Sequence, residues 1–228
     1  MKLLGIDCSS LNVSLAAMDN DGVIFSLNRK RKKAAAKVIV WLEELLKDRK
    51  LEVNDFDIFV IGAGPGSFTG LRISFSTIKA FAFSLKKPVI SVGSFYSLAY
   101  KLRKESSKIA VFCDAGRGLI YGATFRFDEK KGLRKSRKES FFKLEDFLRR
   151  FKDHMFVTYS HYLRDEVLSF EERVQLWPKN VWPDALSLCR VAKRYFLGKF
   201  ISLDRLQPLY IYPKECQVRN LSVAKEKK

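Results

Sequence analysis

Phe56–Ile61, apolar except for Asp57, runs directly into Gly62-Ala63-Gly64-Pro65-Gly66-Ser67-Phe68-Thr69-Gly70. A strand apolar on both sides belongs in a sheet covered on both faces, and such sheets are mostly parallel. Leu71, Phe75, Ile78, Ala82 and Leu85 then recur at helical spacing, which predicts a helix over Leu71–Leu85. This strand–turn–helix junction rules out all-β and all-α chains and predicts an α/β fold. The turn also gathers free backbone N–H groups at the positive end of a helix dipole, where an anion can sit. It is not a Walker A loop, because no Gly-Lys-Ser/Thr closes it, and it is not GxGxxG. A tight structural turn and a ligand loop both fit it on physical grounds.

The elements around this junction are legible from their periodicity. Lys2–Ile6 reads as a strand ending at Asp7-Cys8-Ser9-Ser10, and Val13, Leu15 and Ala17 alternate as in a second strand. Asp19-Asn20-Asp21-Gly22 makes a hairpin turn, and Val23–Leu27 a third strand. A helix over Ala34–Lys47 puts Val38, Ile39, Leu42, Leu45 and Leu46 on one face. Pro88–Val92 reads as a strand and Ser94–Leu102 as a helix, so the order is βββαβα and a further strand. The polar stretch Lys104–Lys108 reads as a joint between lobes. Beyond it, strands are predicted over Ile109–Asp114, Leu119–Phe127 and Met155–Tyr159. A charged turn is predicted over Asp128–Lys138 and helices over Phe141–Phe151 and Ala185–Phe196. Leu209–Tyr212 is a last apolar piece. The expected division is a lobe at 1–103, a smaller divergent lobe at 104–221, and a disordered basic tail at 222–228.

The charge balance is 43 Lys+Arg against 25 Asp+Glu, a net +18. Such an excess attracts phosphate polyanions through counterion release and steering. No apolar run approaches the ~18 residues a membrane helix needs, and no signal-peptide core forms at the start, so a cytoplasmic location is expected. Cys8, Cys113, Cys189 and Cys216 lie far apart without a CxxC pair, as expected of reduced, mostly buried thiols rather than zinc ligands.

The string Gly64-Pro65-Gly66-Ser67-Phe68-Thr69-Gly70-Leu71-Arg72-Ile73 resembles the signature of the TsaB (YeaZ) family. The resemblance continues at Leu4-Gly5-Ile6-Asp7-Cys8-Ser9-Ser10, Pro88–Val92, Asp114-Ala115-Gly116-Arg117 with Tyr121, and Pro208-Leu209-Tyr210. It is close over 1–100, patchy over 109–127 and thin over 128–207. It implies a two-lobed fold of the actin-like ATPase and sugar-kinase kind, with ribonuclease H-like βββαβα lobes. It also implies a non-catalytic scaffold that pairs with a catalytic paralogue, TsaD, to make N6-threonylcarbamoyladenosine in tRNA, together with a TsaE-type ATPase. TsaD carries a metal-binding His-x-x-x-His at the positions held here by Ser94 and Leu98. The family helix after the third strand commonly opens with His-Ser-Glu, where this chain has Ala34-Ala35-Ala36.

Residue by residue, the expected partner interface is Ile39, Val40, Trp41, Ile73, Ser76, Ala80 and Phe83. This apolar surface goes beyond what one core face needs, and it would serve TsaD or, without it, a second copy of the chain. A vestigial nucleotide or anion loop would comprise Asp7, Ser9, Gly64, Gly66, Ser67, Thr69 and Gly70, with ATP or ADP at most a weak ligand at the complex interface. The basic run Arg29, Lys30, Arg31, Lys32 and Lys33 sits before a helix N-terminus, against the dipole, and is a candidate tRNA-facing patch. The competing reading is an ATP-using kinase or acyltransferase of the same superfamily. Ser9 counts against it, because it adds a side chain where the superfamily's ATP users carry glycine. A peptidase is excluded by chemistry, since His154 and His161 supply neither a triad nor a metal pair.

Overall fold

The computed structural model describes residues 1–30 and 34–211. Its first half is β1 (Lys2–Asp7), β2 (Asn12–Asp19), β3 (Gly22–Lys30), α1 (Val38–Lys47), β4 (Ile58–Gly62), α2 (Phe68–Leu85), β5 (Val89–Val92) and α3 (Phe95–Leu102). The second half is β6 (Lys108–Gly116), β7 (Leu119–Asp128), β8 (Gly132–Phe142), α4 (Leu144–Arg150), β9 (Met155–Thr158), α5 (His161–Leu168), β10 (Gln175–Leu176) and α6 (Ala185–Val191). A π-helical turn, Ala192–Phe196, extends α6.

Two five-stranded sheets result, ordered β3-β2-β1-β4-β5 and β10-β9-β6-β7-β8. Each has three antiparallel strands joined by hairpins, then parallel strands reached by helical crossovers. The second sheet repeats the first in topology, which is the duplicated two-lobed α/β arrangement expected.

The layers are set by which helix buries which apolar face. On one side of the first sheet, α1 and α2 seat Val38, Leu42, Leu46, Leu71, Phe75, Ile78 and Ala82 against Leu4, Ile6, Phe59 and Ile61. The helices of the inner layer are exchanged between halves. From the first half, α3 packs Phe95, Leu98 and Leu102 on Ile109 and Val111 of the second sheet. From the second half, α6 packs Leu188 and Val191 on Leu3, Val60 and Ile90 of the first. A Cβ on Gly5 would lie 2.5 Å from the Cys189 sulfur, so glycine is what lets α6 press onto β1. Ser14 Oγ accepts from Ala185 N (2.8 Å), Asp184 caps the helix at Ser187 N (2.7 Å), and Lys101 of α3 pairs with Asp184 (2.5 Å). A cut at Lys104 therefore separates the strands of the two sheets but not their cores. The outer side of the second sheet is an aromatic stack in which Phe147 meets Phe112, Phe142, Phe151 and Phe156.

Several expectations are corrected. The charged stretch Asp128–Lys138 is not a turn: the turn occupies 129–131, and Gly132–Phe142 is the longest strand, at the sheet edge. Charged residues on both faces of this edge strand, with Lys135 and Glu139 paired on the inner one, remove the apolar alternation that would have revealed it. The helix expected over Phe141–Phe151 is only Leu144–Arg150, because Phe141 and Phe142 pair with Tyr121 and Ile120 in the ladder. Helix α2 starts three residues early, at Phe68, where Ser67 caps it. Strand β3 extends through Arg29 and Lys30. Leu209 and Tyr210 form no strand; Leu209 N–H bonds the carbonyl of Ala63 (2.8 Å), and the aromatic ring of Tyr210 lies 5.7 Å from that of Phe68. Helix α5 had not been anticipated. Cys8, Cys113 and Cys189 are buried and unpaired. Tyr212, Cys216 and the tail 222–228 lie outside the described residues.

Candidate functional site

The parallel strands β1, β4 and β5 deliver Asp7, Gly62 and Ser94 to one edge of the first sheet. There Asp7 is fully buried. Its Oδ1 accepts from Ser9 N (2.8 Å) and Ser9 Oγ (2.6 Å), and its Oδ2 from Ser94 Oγ (2.6 Å). Ser94 Oγ in turn accepts from Gly64 N (3.0 Å). Burial pushes the Asp7 carboxyl up, against the hydrogen bonds from Ser9 and Ser94, which lower it. The carboxylate is thus an internal tie between β1, the glycine loop and the start of α3.

The loop is closed in the same way. Ser67 N–H bonds the carbonyl of Ser9 (2.7 Å), Gly70 N–H bonds Ser67 Oγ (3.2 Å), and Ala63 N–H bonds the carbonyl of Val92 (2.8 Å). Three glycines are demanded by close approach: an added Cβ would lie 1.9 Å from Asp7 at Gly62, 1.8 Å from the Ser9 carbonyl oxygen at Gly66, and 2.1 Å from that of Cys8 at Gly70. The glycines admit neighbouring backbone and the Asp7 side chain. The N–H groups of Gly64, Ser67 and Gly70 are already bonded within the protein.

A cleft of about 310 Å³ opens beside this turn, between Ser9, Ser10, Gly66 and Ser67 on one side and Cys113–Gly116, Tyr121, Tyr159 and Ser160 on the other. The wall from the second half is the turn at the end of β6, where Asp114 Oδ1 accepts from Gly116 N (2.8 Å). Burial pushes the Cys113 thiol up to about 12, so it stays protonated and is a poor nucleophile. Ser94, Tyr159 and Ser160 escaped sequence reasoning as members of this region. Ser94 meets Asp7 across 87 residues, with no local pattern to mark the pair.

Ser94 and Leu98, where the resemblance implies metal histidines in TsaD, hold here a structural hydroxyl and a fully buried side chain. Neither can act as a metal ligand in this environment.

The expected interface residues divide. Phe83 is 78% exposed, Ile39 55% and Val40 51%, and Ser76 and Ala80 are exposed between them and solvent. Trp41 and Ile73 are instead half-buried against the first core. Between α1 and α2, Ile39, Leu42, Leu46, Leu51, Val53 and Phe81 line an apolar groove of about 520 Å³. The basic run also divides. Arg29 and Lys30 end β3, and Lys30 Nζ is taken up by His161 Nε2 (3.4 Å) and the Trp182 ring (4.8 Å to its centroid). Arg31, Lys32 and Lys33 lie outside the described residues.

The model of the family described as TsaD, tRNA N6-adenosine threonylcarbamoyltransferase, matches residues 28–170. The chain belongs to this family. Within it the likeness is to TsaB. The tRNA threonylcarbamoyladenosine biosynthesis protein TsaB of Bacillus subtilis is 31% identical over 134 residues, and the match spans 58% of each chain. TsaB of Buchnera aphidicola from Schizaphis graminum is 27% identical over 77% of this chain and 88% of its own, and TsaB of Escherichia coli 21% over 92% and 94%. The YeaZ structure from Pseudomonas aeruginosa superposes with a TM-score of 0.77 at 21% identity, covering 92% of this chain and 99% of that one. The fold is therefore that of TsaB (YeaZ) proteins. No helix among the described residues is long and apolar enough to cross a membrane.

The Asp7 tie has a testable signature. Its folded-state carboxyl is raised, so the native state holds the proton more tightly than the unfolded chain. Stability must then fall, relative to a group that does not titrate, as pH rises through the window above the ordinary carboxylate value. Urea midpoints of wild type and Asp7→Asn at pH 5 and pH 8 should shift in favour of the variant at pH 8. The opposite shift would mean that the Ser9 and Ser94 hydrogen bonds outweigh burial.

Proposed function

We propose that this chain is a partner subunit in the formation of N6-threonylcarbamoyladenosine in tRNA. It presents the outer faces of α1 and α2 to a TsaD-type catalytic chain and supplies no reacting group itself. The observation that carries this reading is Phe83, a phenylalanine 78% exposed at the end of an exposed stripe of small residues on α2. Ile39 and Val40 add apolar surface on α1. Such surface is costly in water and favours association. The non-catalytic part of the reading is supported by Asp7, whose oxygens are occupied by Ser9 and Ser94, and by the protonated Cys113 thiol.

The reading includes a cytoplasmic location, a TsaE-type ATPase and tRNA as further members of the assembly, and a homodimer through the same helices when TsaD is absent. It keeps the division into lobes at 1–103 and 104–221, and admits ATP or ADP only as a weak ligand at the complex interface. Mixing the chain with TsaD from the same source, with size-exclusion chromatography and light scattering, tests it. A one-to-one complex that replaces any self-dimer is expected. Two unassociated proteins at micromolar concentration, with nucleotide present, would overturn it.

A further inference from the structure

We propose that the outer face of the second sheet is an RNA phosphate-backbone site built by Arg126, Arg134, Arg137 and Arg150. These four residues come from three separate segments, β7, β8 and the end of α4. The β-ladder places Arg126 directly opposite Arg134. Like charges in that register repel, and a fold tolerates them where something else is gained. One extra residue on β8, Ser136, then shifts the register so that Arg137 pairs with Thr124, two positions from Arg126 on the same face of β7. The shift turns Arg137 toward the aromatic stack, its guanidinium 5.8 Å from the Phe142 centroid and 5.9 Å from that of Phe151. Arg150 approaches the same Phe151 ring at 5.8 Å. Two guanidiniums thus share one aromatic support, and Arg126, Arg134 and Arg150 are exposed.

The neighbouring carboxylates are engaged elsewhere. Asp153 is bonded by Lys108 and His154, and Asp128 accepts from the backbone N–H groups of Lys130 and Lys131; Asp128 also feels the charge of Arg134 without forming an ion pair with it. Glu145 and Glu172 pair with Arg149. Asp146, one turn before Arg150, forms no ion pair with it, and none of the four arginines has an ion-pair partner among the described residues. Arg149 is neutralised, whereas Arg150 next to it is not. Planar guanidiniums held against rings keep their donor forks oriented, which suits phosphate oxygens and a repeating polyanion better than isolated carboxylates. The net charge of +18 favours the same partner. RNA is named as the polyanion on the strength of the proposed role in tRNA modification. The site differs from the Arg29–Lys33 run, whose Lys30 is already engaged by His161 and Trp182.

The full chain should be titrated with a labelled unmodified tRNA transcript, following anisotropy at several salt concentrations. Replacing Arg126, Arg134 and Arg150 together by Gln is expected to weaken binding by about tenfold or more. It should also reduce the slope of log K against log salt by about 2, since each lost phosphate contact removes ~0.7–0.9. A charge-matched control, Lys50→Gln with Lys104→Gln and Lys179→Gln, should keep most of the affinity. Equal loss in both variants, an unchanged triple-arginine variant, or no tRNA binding by wild type would each overturn the site. So would loss of TsaD binding by the arginine variant with tRNA affinity intact, which would make this face a protein contact. Failure of wild type to pair with TsaD would count against the proposed subunit role while leaving the tRNA titration free to judge the patch.

Discussion

Phe83→Glu combined with Val40→Glu should abolish association with a TsaD-type partner, and any self-dimer, while leaving a folded monomer. Both side chains are already in water in the monomer, at 78% and 51% exposure, so a carboxylate there costs the isolated chain little. In a complex the same substitution replaces a buried apolar contact worth about 1.5–3 kcal/mol per large side chain with a desolvated charge. Two such changes exceed the ~4 kcal/mol that separates a micromolar from a nanomolar complex. Light scattering reads the association, and circular dichroism with a urea curve reads the fold. Wild-type pairing by the double variant would remove α1 and α2 as the docking surface. Ile73 is a poorer choice for this test than its place in the stripe suggests, because it is half-buried against the first core and its loss would confuse folding with binding.

Gly66→Ala should be among the most destabilising single changes in the protein. The new Cβ would lie 1.8 Å from the Ser9 carbonyl oxygen, at a backbone φ of +151°. The obstacle is backbone, fixed by the Ser67 N–H bond to the same carbonyl, so it cannot turn aside. A loss of about 3 kcal/mol or more is expected from the clash and strain together. Gly118→Ala provides the control, since its φ is also positive, at +73°, but nothing lies within 4 Å of the added methyl. That change should cost only about 1 kcal/mol. Urea midpoints compare the two. Similar losses would show that the glycine loop tolerates a shift away from β1 and that its closure is not a fixed feature of the fold.

The contrast between the two halves shows why some elements were legible. Strands β1, β2 and β4 are buried and apolar, and α1 and α2 have a clean core face. Those signals are local, and they survive in a single sequence. Strand β8 carries charges on both faces, Arg134 and Lys138 exposed and Lys135 with Glu139 turned inward as an ion pair, so nothing in its pattern reads as a strand. In the loop, sequence reasoning left a structural turn and an anion site equally open. The close approach of its glycines to Ser9 and Cys8, more than fifty residues away in the chain, is something no local pattern records.

What the sequence determined by itself was the βββαβα order of the first half, the family signature of Gly64–Ile73, and the excess of positive charge. All three follow from residue types and short-range spacing. Only the tertiary structure decided that Asp7 is a buried tie, that α3 and α6 exchange sheets, and that four arginines from three segments meet on one face. Each of these depends on strand register and helix packing between distant segments, and the energy that selects them comes from burying surfaces that are not neighbours in the chain.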